Sequence, residues 1–167
     1  MKVLFTSDTH LGHRAITKYR PIFSSVEEHD RFILNEMWKL GKRDILFILG
    51  DFLFESENTN NYLTEISNMP VNIKLLLGNH DYNNIPHLQS AGIEVLLPLT
   101  NYKGFWLSHC PIHPQEMRER KGNIHGHLHD ETLNDPLYFN VNLDVNGYKF
   151  VSLDMIKGYF NALYTNK

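Results

Sequence analysis

The sequence predicts an α/β layered domain, and three observations carry that expectation. Short apolar runs alternate with segments of helical periodicity, some runs are continuously apolar, and most end in polar clusters of Asp, His, Asn and Gly. Alternating strands and helices favour sheets covered by helices. A continuously apolar strand is one buried on both faces. Binding and reacting groups of open α/β sheets gather outside the carboxyl ends of the strands.

The elements follow in order. Residues 2–7 form a short β-rich run, the first strand. Ser25-Val26-Glu27-Glu28 has the form of a capping box, a Ser followed three residues later by a Glu. The helix it opens carries Phe32, Ile33, Met37 and Leu40 at helical spacing and stops near Gly41. Residues 45–49 read as a buried strand, 61–68 as a second helix with Tyr62 and Ile66 on one side, and 73–77 and 93–97 as further strands. Short strands are expected at 105–108 and 123–125. The Asn146-Gly147 turn signal predicts a hairpin of 138–145 with 148–153, and a last helix is expected near 154–164.

With 167 residues, 42% of them hydrophobic and 21% charged, the chain fits one globular domain, 1–167, able to bury a core. A net charge of -3 argues against a general polyanion binder. The single cysteine, Cys110, forms no internal disulfide, which suits a reducing compartment. The opening run is too short for a signal peptide, and no stretch reaches the ~18 apolar residues of a membrane span. A cytoplasmic protein is therefore expected, a monomer or a homodimer, with no membrane partner.

Histidine is unevenly placed. Of ten, His10, His13, His80, His109, His113, His125, His127 and His129 fall in short clusters, leaving His29 and His87 apart. Imidazoles clustered beside carboxylates are the raw material of a metal site. Asp8 and His10 are two residues apart, as are His127 and His129, so extended backbone would present each pair on one side. Glycines at 50, 78 and 126 allow close approach or positive φ in the turns. The donor set is oxygen and nitrogen: Asp8, His10, Asp51, Asn79, His109, His127 and His129. It suits Mn²⁺, Fe or Zn²⁺, with Ni²⁺ and Co²⁺ as further candidates, better than Ca²⁺. So many ligands fit two ions sharing a carboxylate, the arrangement that clamps both oxygens of a phosphoryl displacement.

Asp-x-His, Gly-Asp, Gly-Asn-His-Asp, a later single His and Gly-His-x-His, in this order over residues 8–129, resemble the calcineurin-like metallophosphoesterase superfamily. The opening Ser7-Asp8-Thr9-His10-Leu11-Gly12-His13 further resembles small stand-alone bacterial and phage phosphoesterases. The resemblance implies two packed mixed β-sheets flanked by helices, a four-layer αββα sandwich. It implies that Asp8, His10 and His129 hold one metal, Asn79, His109 and His127 the other, and that Asp51 bridges. It gives His80 the part of acid for the leaving group, oriented by Asp81. The reaction expected is hydrolysis of a small phosphodiester or phosphomonoester, nucleotide-like, by hydroxide generated between two divalent ions, Mn²⁺ foremost. A nuclease acting on DNA or RNA ends is the alternative, disfavoured by the acidic balance; a binding module without turnover would lack ligands that are present here.

Other residues divide between substrate and scaffold. His13, Arg14 and His113 are candidates for touching the substrate, with loop packing as the competing explanation for His113. Lys18 and Arg20 raise the same question near the first cluster. Cys110 reads as packing rather than metal binding, and Arg118, Arg120 and Lys121 read as a helix end more than a phosphate clamp.

Overall fold

A computed structural model describes residues 1–165. Its first sheet holds β1 (Val3–Thr6), β2 (Ile45–Leu49), β3 (Asn72–Leu76), β4 (Glu94–Leu96) and, near the C-terminus, β9 (Val151–Ser152), in the order β4-β3-β2-β1-β9. β1 to β4 are parallel, and β9 runs antiparallel to β1. The second sheet holds β5 (Leu99–Tyr102), β6 (Phe105–Ser108), β7 (Asn123–His125) and β8 (Tyr138–Asn140) in chain order. β5 is antiparallel to β6, and β6, β7 and β8 are parallel. Two mixed sheets flanked by helices are therefore present, as the resemblance implied.

The strand pattern dictates the layers. In β2, Leu46 and Ile48 join one apolar cluster, while Phe47 and Leu49 join another on the opposite face. The first cluster receives Ile33, Leu34 and Met37 of α2 (Val26–Trp38) and Leu63 and Ile66 of α3 (Thr59–Ser67). The second fills the space between the sheets, where Phe5 and Phe47 stack at 5.0 Å beside Phe105, Leu107 and Ile124. α5 (Leu153–Thr165) adds Ile156 and Phe160, the latter ring 5.0 Å from Phe105. Burying each such Leu or Phe contributes about 1.5–3 kcal/mol, so sheet position is set by this two-faced pattern.

α2 starts where the capping signal placed it: the Ser25 side chain accepts from Glu28 N at 3.1 Å. The reciprocal arm differs, because the Glu28 carboxylate takes Ser24 N at 2.7 Å instead of the cap residue itself. Two short helices escaped the periodicity reading, α1 (Ile16–Tyr19) and α4 (Ile85–Ser90). Edge strand β5 escaped as well; its turn into β6 uses Lys103 and Gly104, both at positive φ, without an Asn-Gly signal.

The hairpin expected at 138–153 is corrected. Residues 138–140 pair with β7 in one sheet, and 151–152 pair with β1 in the other. The Asn146-Gly147 turn exists, with Tyr148 N donating to Leu143 O at 2.9 Å. It reverses a crossing segment rather than joining paired strands. The Asn146 amide donates to the carbonyls of Asn140 (3.0 Å) and Asn142 (2.7 Å), folding that segment on itself, while Val141 and Leu143 are buried in different clusters. Among the described residues no helix is long and apolar enough to cross a membrane.

Candidate metal centre

Five strands deliver their carboxyl ends to one edge. Asp8 and His10 follow β1, Asp51 follows β2, Asn79 and His80 follow β3, His109 follows β6, and His127 and His129 follow β7. The loops are tied by backbone hydrogen bonds: Asp8 N to Gly50 O (2.9 Å), His10 N to Asp51 O (3.0 Å), and Gly126 N to His109 O (2.9 Å).

The expectation of extended backbone at the paired donors is corrected. Asp8, His10, Asp51, His127 and His129 all have φ between 50° and 69°. That left-handed region is sparsely used by residues with a Cβ and costs of order 1–3 kcal/mol each, an expense concentrated at functional sites. The conformation turns each side chain inward from a loop instead of alternating along a strand. Two glycines make room. A Cβ at Gly78 would collide with the Asp51 backbone and carboxylate, and one at Gly126 with Ser7 Oγ and the Asp8 carboxylate.

The donors fall into adjoining groups. His10 Nε2 and His129 Nε2 each lie 3.9 Å from Asp8 Oδ1, and the two rings stack at 5.2 Å. Asp51 Oδ2 lies 3.6 Å from His109 Nε2, and Asp8, Asp51 and His109 together could hold an ion. His109 Nε2 also lies 3.0 Å from Asn79 Oδ1 and 3.1 Å from His127 Nδ1. His109 Nδ1 is 2.8 Å from Leu49 O. A carbonyl only accepts, so Nδ1 carries the proton and Nε2 turns a lone pair toward the other donors.

Whether a cation fits is decided by the atoms that lack partners. Asp8 Oδ1 and both ring nitrogens of His10 are buried without a hydrogen bond. Buried polar atoms are almost always satisfied, and an orphaned carboxylate oxygen is costly. A divalent ion between Asp8, His10 and His129 would satisfy them with the donor chemistry such ions use. Electrostatics agree. Burial raises the Asp8 carboxyl, and a nearby cation would offset that cost. Burial, reinforced by Arg20 and the neighbouring histidines, pushes His10 down to about 2, keeping it neutral as a ligand must be. Burial also lowers His127.

The remaining candidates separate. His80 is half-exposed, its Nε2 3.9 Å from Asp51 Oδ2 and its ring 4.6 Å from Phe54. Asp81 does not orient that ring. Its carboxylate accepts from the backbone of Gly78 and Asp51 (2.8 Å each) and Phe52 (2.9 Å), which makes it a positioning residue locking two loops together. His13 lines a cleft of about 680 Å³ together with His10, His80 and His129. Arg14 is exposed and lies outside that lining. His113 is exposed and caps a single 3-10 turn, its Nδ1 accepting from Gln115 N at 3.3 Å, so loop packing accounts for it. Cys110 is exposed rather than packed, and its thiol sits beside His109 and His127. Arg120 covers the Trp106 ring at 5.0 Å and Arg118 faces Glu116 at 3.4 Å.

Two supporting residues complete the arrangement: Arg20, which the sequence left between substrate and scaffold, and Asp144, which carried no readable local signal. Arg20 is 1% exposed and donates to Asp8 O (2.7 Å) and to both Asp144 oxygens. Asp144 reaches His129 Nδ1 at 3.3 Å. The crossing segment that breaks the expected hairpin is what brings Asp144 there.

Similarity to known proteins extends over nearly the whole chain. The calcineurin-like phosphoesterase family model matches residues 1–161. An uncharacterized protein of Methanocaldococcus jannaschii is 30% identical, the match covering 93% of this chain and 89% of that one. The gene 66 protein of Mycobacterium phage D29 is 29% identical over 96% of both chains. The crystal structure of a protein of unknown function from Aquifex aeolicus has a TM-score of 0.72 and 27% identity, covering 94% of this chain and 98% of that one.

Proposed function

The chain belongs to the calcineurin-like phosphoesterase family, and from that premise we propose a binuclear hydrolase of small phosphodiesters or phosphomonoesters, with Mn²⁺ as the leading metal. Asp8, His10 and His129 would hold one ion, Asn79, His109 and His127 the other, and Asp51 would serve both. One observation carries the reading: Asp8 Oδ1 and the His10 ring nitrogens are buried and unpartnered beside a second cluster of converging donors. A cytoplasmic setting fits the single free thiol.

When bound, such ions supply Lewis acidity, lowering the pKa of an attacking water and taking up charge on the phosphoryl oxygens. The chain's own residues do the rest. His80 Nε2, half-exposed at the edge of the donors, delivers a proton to the departing oxygen. Asp51 Oδ1 accepts from His80 N at 3.0 Å, fixing the backbone that carries this acid. Phe54 lies against the His80 ring, tilted by 30° at 4.6 Å. Asp144 and the Leu49 carbonyl hold the His129 and His109 rings from behind.

The test is hydrolysis of bis-p-nitrophenyl phosphate and p-nitrophenyl phosphate after loading with Mn²⁺, Ni²⁺, Co²⁺ or Zn²⁺. Metal-dependent turnover that is lost on chelation and restored on reloading is expected. Inert protein with every metal, at full metal content, would refute the reading.

A further inference from the structure

Resting on the phosphoesterase reading, we propose that the cleft beside the Asp8–His10–His129 group receives the planar base of a nucleoside phosphoester, with Tyr19 as a specificity-determining residue. The first observation is a continuous run of rings leading away from the donors. His80 meets Phe54 at 4.6 Å, Phe54 meets His13 edge-on at 4.4 Å, and His13 meets Tyr19 at 6.1 Å. The run begins at the proposed acid and ends at the mouth. Tyr148 supplies another ring to the same cleft, braced edge-on by Phe23 at 5.3 Å and by the Arg20 guanidinium at 5.8 Å.

The second observation is exposure. Tyr19 is 74% exposed while lining the cleft. A large ring left in water at the rim of a polar site gains nothing from the core. It gains from stacking on a flat ligand, because every base offers a π-face.

Charge selects a base over further phosphates. Arg20 is the one Lys or Arg in the lining, among the described residues, and it is committed to Asp144, to His29 Nε2 at 2.9 Å and to the Asp8 carbonyl. The other formal charges there belong to Asp130 and Asp144. A second phosphate beside Asp130 would meet a carboxylate with no uncommitted Lys or Arg in the lining, whereas a neutral base carrying an amino group meets Asp130 as an acceptor. Phosphoryl oxygens are left to the metal donors, and the organic part of the substrate lies along the rings.

Titration calorimetry of the Mn²⁺-loaded full chain with adenosine, and separately with inorganic phosphate, tests the assignment. Adenosine carries no phosphate, so it reads the cleft alone. Adenosine binding is expected to weaken about 5-fold or more in Tyr19→Ala, the loss expected for one stacking ring. Tyr19→Phe keeps the ring and should restore it, while phosphate affinity and metal content stay the same in all three proteins. No adenosine binding by the unaltered chain, or equal binding in Tyr19→Ala, would overturn the proposal. Failure of the phosphoesterase reading looks different: a protein that binds adenosine through Tyr19 yet hydrolyses no phosphoester sinks the catalysis and supports the cleft.

Discussion

Arg20 and Asp144, separated by 124 residues, form a two-pronged ion pair behind the proposed metal donors, with Nε–Oδ1 at 2.7 Å and Nη2–Oδ2 at 2.9 Å. Their side chains are 1% and 14% exposed, so the pair is largely withdrawn from water. Burial alone would raise the Asp144 carboxyl. Hydrogen bonds from His129 and Arg20 outweigh it and hold the group well below the usual carboxylate range. The same contact raises His129, against its burial. Arg20 thus joins three parts of the centre: the Asp8 carbonyl, the crossing segment and, through Asp144, the His129 ring.

Asp144→Ala should therefore damage both the fold and the centre. Breaking a buried pair leaves the Arg20 charge uncompensated, at a cost of about 3–5 kcal/mol. Each kcal/mol lowers Tm by about 2–4 °C in a chain of this size. Loss of a residue that orients a ligand histidine costs about 10–100-fold in metal affinity. Thermal melts and equilibrium dialysis measure the two effects. Unchanged metal affinity with a lowered Tm would reduce Asp144 to a purely structural part.

Asp51→Asn tests the carboxylate proposed to serve both ions. Asp51 is buried, close to His109 Nε2, and its carboxylate also faces His80. Removing its charge should lower metal content and reduce turnover by about 100-fold or more, in line with losing one preorganised electrostatic group. Full activity at full metal content would exclude a bridging role.

The convergence was legible because each proposed donor stands beside a recognisable strand end, and all of them lie at the same edge. Geometry was less legible. Asp8 and His10 were expected on extended backbone, but both have positive φ, with Asp8 N donating to the Gly50 carbonyl and His10 N to the Asp51 carbonyl. Asp81 looked like the partner of its neighbour His80, and nothing in the Gly-Asn-His-Asp string shows that four loop amides claim its oxygens. Asp144 was hidden for a different reason. Asn146-Gly147 is a strong local hairpin signal, and the pairing of 138–140 and 151–152 with different sheets is a non-local choice made by the core.

His80→Ala separates metal binding from proton delivery. The His80 ring is outside the tightest donor groups and half-exposed, so its loss should leave metal content intact. Turnover on esters with poor leaving groups should fall about 10²–10⁴-fold, the usual worth of a general acid. Esters of p-nitrophenol, whose leaving group needs little protonation, should suffer much less. Equal losses on both classes would remove the acid role from His80.

Stability of the metal-free chain should rise as pH increases from about 5 to 7.5. Burial lowers His10 and His125, so each takes up a proton less readily in the folded protein than its unfolded counterpart, whose ordinary value is 6.5. Wherever the unfolded chain binds more protons, stability increases with pH. The contribution is complete above 6.5 and is lost as pH falls toward the folded value, about 2 for His10. His129 acts in the opposite direction: raised by Asp144, it stabilises below 6.5 and loses that contribution as pH climbs through its folded value. His13 and His127, also lowered by burial, act with His10 and His125, while the Asp8 and Asp81 carboxyls, raised by burial, act with His129; the expected rise is the case in which the lowered histidines outweigh these three. Melts of chelated protein across this range measure the slope, and His125→Gln, which removes a titrating group outside the proposed ligands, should flatten it. A Tm that falls between pH 5 and 7 would show that the raised groups, Asp8, Asp81 and His129, outweigh the lowered histidines.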